Sequence, residues 1–254
     1  MIYFNNKKSL DTFLMVFILG AVKAYRRNYI DLTILEYYIF SMLIRLMCRK
    51  AHLSDKLLNI IGDGMSLEDV DEWMARRIPI PALNDTLDDI ECSSWIALIE
   101  RELEGDTLSE ALKISTHDEN KLGIYFFTDY VEEIFWALFL LGLYEVLQKP
   151  EFISESIISC IKQSYLSEIY TCERIQDEDF QACISNLQEI ADTNISGQLS
   201  KDLITMKAKL ASLQVLLPFY GMSSDKLETG IDLKATKGMF WQIKVSGEFI
   251  DLGL

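Results

Sequence analysis

The side chains here whose grouping could do chemistry are carboxylates. Asp85, Asp88, Asp89 and Glu91 are followed by Glu100, Glu102, Glu104, Asp106 and Glu110, with Arg101 the one base among them. Clustered carboxylates can hold a divalent cation, trade a proton as general acid and base, or present a negative face to a basic protein. The first two uses need companions. The histidines, His52 and His117, are far apart and fit no HExxH spacing. There is no GxSxG elbow, no phosphate-binding glycine loop and no kinase signature. The five cysteines, Cys48, Cys92, Cys160, Cys172 and Cys183, form no CxxC pair and read as buried thiols of a reducing compartment. No catalytic residue, metal or cofactor is therefore expected. Trp95, Ile96 and Ile99 sit at helical spacing between the two acidic groups. That pattern predicts a partner-binding face of Asp85, Asp88, Asp89, Glu91, Trp95, Glu102, Glu104 and Asp106, with carboxylates around an aromatic anchor.

Charge supports a protein partner over the alternatives. The net charge is −15 over 254 residues, and the pI is about 4.6. Neutralising phosphates or docking on anionic lipid would oppose that charge, so neither nucleic acid nor membrane is an expected partner. The charge is also uneven: +5 over residues 1–60, −11 over 61–122 and −9 over 123–254. Half the residues are apolar, a globular composition.

The elements that must position this face come from an internal repeat. Ile2-Tyr3-Phe4, Phe13, Phe17, Leu19 and Gly20 recur 122 positions later as Ile124-Tyr125-Phe126, Phe135, Phe139, Leu141 and Gly142. A repeat sets the unit of architecture, here about the size of a small domain. Each copy opens with a short strand and a very apolar helix, expected over 9–26 and 129–148. A mid-helix glycine at the same place in both predicts a close helix–helix crossing, since glycine otherwise costs a helix about 1 kcal/mol. Lys7-Lys8 before the apolar run Thr12–Val22 has the look of a leader sequence, but the same helix recurs mid-chain. Both runs are also shorter than the roughly 18–20 residues a bilayer span needs. Both read as core helices.

Asp31 and Ser154 are placed to cap second helices. A further helix is expected over Leu53–Ile61, and Gly62-Asp63-Gly64 reads as a loop before an acidic helix start at Ser66–Val70, answered by Gln176–Phe180. Arg77–Pro81 reads as extended, Thr86–Glu104 as helix, and 200–216 as helix. Gly230–Val245 alternates like a β-hairpin, Ser246-Gly247 turns into a last strand, and this tail could pair with the strands that open each copy. The expected fold is mainly α: two tandem helical repeats, each opened by a short strand, plus a C-terminal β-hairpin. The boundaries are 1–120, 121–217 and 218–254.

The first-copy pattern, from the apolar Phe17-Ile18-Leu19-Gly20 helix through Glu36-Tyr37-Tyr38 to Ile60-Ile61-Gly62-Asp63-Gly64 and Leu67-Glu68-Asp69-Val70, resembles a small uncharacterised bacterial domain found among immunity proteins of polymorphic toxin systems. The resemblance implies a cytoplasmic, non-catalytic protein that neutralises a cognate toxin by binding it. Two other readings stay open: an enzyme with a carboxylate-lined cleft between the copies, and an oligomeric scaffold.

Overall fold

The computed structural model describes residues 1–28, 30–67, 81–105, 107–115, 122–147, 149, 152 and 240–253. Most of them are helical. A three-residue strand, β1 (Ile2–Phe4), leads into a long helix, α1 (Lys7–Arg26), whose start is capped by the Asn6 side chain accepting from the Ser9 backbone N–H at 2.8 Å. Three shorter helices follow: α2 (Leu32–Tyr38), α3 (Met42–Lys50) and α4 (Asp55–Gly64). Asp31 caps α2 as its position predicts, accepting from Ile34 N–H at 2.8 Å, and Ser41 and Ser54 cap the next two. The long helix α5 (Pro81–Leu103) and the short α6 (Thr107–Leu112) complete this half. Then come β2 (Leu122–Phe126), α7 (Asp129–Leu147) and a terminal pair, β3 (Trp241–Val245) and β4 (Glu248–Phe249).

Two local expectations are corrected. Gly62-Asp63-Gly64 is the last turn of α4 and not a loop. The glycines serve packing: a β-carbon on Gly62 would sit 3.2 Å from the Arg45 guanidinium carbon, and one on Gly64 would overlap the Phe40 ring. Pro81 is the first residue of a helix rather than the end of an extended run, a position where its missing N–H has no helical partner to lose. The predicted helices over 176–180 and 200–216, the Ser154 cap, the first tail strand, Arg77–Ile80, His117, Cys160, Cys172 and Cys183 lie outside the described residues.

The four strands form one antiparallel sheet in the order β1-β2-β3-β4. Ile2 stands opposite Ile124, which in turn faces Ile243, while Phe126 faces Trp241. The tail thus pairs with an opening strand, as its alternation suggested. Ser246 and Gly247, with φ of 52° and 81°, make the two-residue turn into β4. On the outer side of β1, Tyr3 and Ser115 exchange backbone hydrogen bonds of 2.8 and 3.1 Å.

The core is centred where α1 packs on α7. A β-carbon on Gly20 would fall within the carbonyl oxygen of Leu138 and 2.6 Å from Gly142 N; one on Gly142 would fall within the carbonyl oxygen of Val16 and 2.9 Å from Gly20 N. The backbones therefore touch. Around that crossing the rings meet in matched pairs. Phe13 stacks on Phe139 at 4.0 Å, and Phe17 stacks on Phe135 at 4.0 Å. Phe4 meets Phe13 edge-on at 5.0 Å, and Phe126 meets Phe135 edge-on at 5.0 Å. These rings fill the space between the two long helices, and Thr12–Val22 lies wholly inside this core.

This contact generates a prediction with an unusual sign. In an exposed helix, Gly20→Ala would gain about 1 kcal/mol of helix propensity. Here the methyl group meets backbone, which cannot swing away, so the variant should lose about 1–3 kcal/mol in urea unfolding. Adding Gly142→Ala should cost less than it does alone, because the first substitution already parts the helices.

Candidate functional site

The predicted face lies on α5, and the fold divides its residues among three surroundings. The inward side of α5 carries Leu87, Ile90, Ala97 and Leu98, all buried against α1 and α4. Along the seam with α1, three carboxylates meet three bases. Glu104 pairs with Lys8 at 3.0 Å, Glu91 with Lys23 at 2.6 Å, and Asp88 with Arg26. The pairs run in opposite order along the two helices, so α5 is antiparallel to α1. The basic start and the acidic finish of this half are thereby zipped together. Each partly exposed pair is worth little by itself in water. Lys8 holds the Glu104 carboxyl below the usual carboxylate range.

Trp95 is half-buried, with its ring 6.1 Å from Phe152 and the Lys149 ammonium 4.8 Å from its centroid. Its apolar surface is engaged at the joint with the end of α7. Glu102 is half-buried, and Asp106 lies outside the described residues.

The outward line of α5 is different. Asp85, Asp89, Cys92, Ile96, Ile99 and Leu103 follow at alternating intervals of four and three, which places them on one side of a helix. All six are exposed. Ile96 is 52% accessible, Ile99 38% and Leu103 84%. Asp85 and Asp89 form no ion pair with the described residues. Helix α5 is therefore apolar on two opposite sides, and only the inward one is covered by described residues. Sequence reasoning weighted Trp95 as the anchor and passed over Leu103. The alternation of four and three from Asp85 to Leu103 was the signal that marks a second helical stripe.

A polar cleft of about 550 Å³ lies where the starts of α1 and α4 approach the end of α5. Lys7, Lys8, His52, Lys56 and Glu100 line it. At its floor Arg101 pairs with Asp11, which is only 3% exposed. The same guanidinium donates to Ser54 Oγ at 3.2 Å, to the Lys8 carbonyl at 3.3 Å and to Thr12 Oγ1 at 3.3 Å. Asp11 also accepts from Ser54 N–H at 3.2 Å. One arginine thus ties α5 to the starts of α1 and α4. Burial pushes the Asp11 carboxyl above its ordinary value, outweighing the neighbouring guanidinium. Burial likewise raises the Cys48 thiol, whereas Cys92 is exposed. Among the described residues no group of three His, Cys, Asp or Glu is placed to hold a metal ion. No helix among them is long and apolar enough to cross a membrane.

Removing Asp11 should reveal this lock. Asp11→Ala leaves a buried guanidinium unpaired and should cost about 3–5 kcal/mol, most of it recovered in Asp11→Ala with Arg101→Met. The pH dependence has a definite sign. Because the folded Asp11 titrates above its unfolded value near about 3.9, its contribution is complete below that value and is lost as pH rises through the folded one. The stability advantage over Asp11→Asn should therefore shrink from about pH 4 toward neutrality, as read by urea titrations.

Residues 5–110 match the family described as "Protein of unknown function (DUF3969)". No curated protein and no solved structure matches the chain. The matched stretch starts after β1 and ends within α6. It contains both sides of α5 and the polar cleft, but not α7 or the strands.

Proposed function

We propose that this chain is a non-catalytic binding protein, an immunity protein that neutralises a cognate toxin in the cytoplasm by covering it, with the outward side of α5 as its docking surface. The observation that carries the reading is the second apolar side of α5. Ile96, Ile99 and Leu103 are exposed beside Asp85 and Asp89, which form no ion pair among the described residues. Exposed large side chains in one line mark a contact surface more often than chance scatter does. Exposed carboxylates add attraction for a basic protein. The acids already zipped to α1 take no part.

We further propose that the chain arose by tandem duplication of a strand-plus-helix unit. The reciprocal contacts support this. Gly20 and Gly142 meet each other, Ile2 pairs with Ile124, and the Phe13–Phe139 stack has its counterpart in Phe135–Phe17, each position shifted by the same register. Ser115 beside β1 stands as β3 stands beside β2. In this reading the duplicated parts build the scaffold, and the acidic stretch 85–110, which belongs to the first copy alone, carries the function.

The test is to examine the neighbouring genes for a toxin and to co-express this chain with it. Growth should be rescued and the two proteins should co-purify. Asp85→Lys with Asp89→Lys should slow association about tenfold at low salt and flatten its salt dependence. Leu103→Ser should speed dissociation instead. Full toxicity in the presence of the wild-type chain would sink the proposal.

A further inference from the structure

Resting on the binding reading above, we infer that the element of the partner that docks on this protein is a single α-helix, with large apolar residues at one end of its contact stripe and Lys or Arg at the other.

Four observations lead there. The first is spacing. Cys92, Ile96, Ile99 and Leu103 are separated by four, three and four residues. That is the interval at which one helix presents a seam to another running alongside it. An extended strand has no matching period, and a helix offers it no free backbone edge to pair with. The second is length. The stripe from Asp85 to Leu103 covers roughly 27 Å at 1.5 Å per residue, about five helical turns. The third is relief. Beside the seam a trough of about 240 Å³ lies between α4 and α5, lined by Ile60, Ile96 and Ala97 and by polar groups that include Lys56, Asp63 and Glu100. Such a groove accepts the side-chain ridge of a neighbouring helix.

The fourth is polarity along the stripe. Its first part is acidic and without ion partners among the described residues; its second part is apolar. This argues against a second copy of the same chain. Antiparallel self-pairing would press Asp85 and Asp89 onto Leu103 and Ile99, and parallel pairing would oppose like charges. It argues equally against an anionic lipid surface. A helix that is apolar at one end and basic at the other satisfies both parts at once.

The experiment uses the full chain and synthetic helices of roughly 18 residues, the length of the stripe. Two carry leucines at alternating intervals of three and four over one half and lysines over the other. They differ in which half comes first, since the direction of pairing is open. Two controls keep the composition: one is scrambled to break the seam, the other has glutamates for the lysines. Binding is read by fluorescence anisotropy and helix formation by circular dichroism. One of the two seam helices should bind at least tenfold more tightly than either control and gain helicity on binding. Leu103→Glu should weaken it at least tenfold, and so should Asp85→Lys with Asp89→Lys. Thermal melts of these surface variants verify that they fold. Equal binding of the scrambled peptide would overturn the helical element while leaving an acidic docking face in place. Binding that survives all these substitutions would remove α5 as the face, and with it the reading it rests on. Failure of every helix to bind at about 1 mM would overturn the inference, while toxin capture and rescue by the same preparation would keep the wider function.

Discussion

The carbonyl oxygens of Val16 and Leu138 each occupy the space a β-carbon would need on the opposite helix. The close packing of α1 on α7 follows from that contact. With backbones touching at Gly20 and Gly142, α1 and α7 come close enough for Phe13, Phe17, Phe135 and Phe139 to stack across the interface rather than alongside it. The strands at the starts of the two helices are carried into pairing distance by the same geometry, and Ile2 meets Ile124. Glycine in a helix is ordinarily a loss; here the loss is offset by interface area that any larger residue would deny.

Because α7 takes one side of α1, the side bearing Lys8, Lys23 and Arg26 is left for another neighbour, and the acids of α5 supply it. The pairing sets the rotation of α5 about its own axis. Leu87, Ile90, Ala97 and Leu98 then point inward, and the opposite stripe ends in water. Arg101 fixes the end of that helix by binding Asp11, Ser54 and the Lys8 carbonyl together. The outward stripe is thus held on a rigid element, a condition for a reproducible contact surface.

Much of the scaffold was legible in the residues. The two apolar helices, the Asp31 cap, the turn at Ser246-Gly247 and the pairing of the tail with an opening strand all came from local rules: period, cap chemistry and alternation. Gly62-Asp63-Gly64 was misread because glycine as a turn signal and glycine as a packing relief look alike until the Arg45 and Phe40 side chains are in place. The proposed binding face was only half legible. Its helix was expected, and Asp85 and Asp89 were among its residues, but Asp88, Glu91 and Glu104 meet α1, and the apolar role passes to Ile96, Ile99 and Leu103.

The amino-acid sequence alone determined that α1 and α7 are helices, that β1, β2 and β3 are strands, and that both long helices belong to the core. Those properties depend on neighbours within a turn or two and on an apolar period that admits one solution. It could not decide which side of α5 faces the core. That helix carries two apolar stripes of similar strength, and local periodicity weighs them equally. The choice depends on contacts between residues more than sixty positions apart, such as Arg26 with Asp88 and Arg101 with Asp11. Only the packed structure brings those charges together, and in doing so it leaves the second stripe exposed.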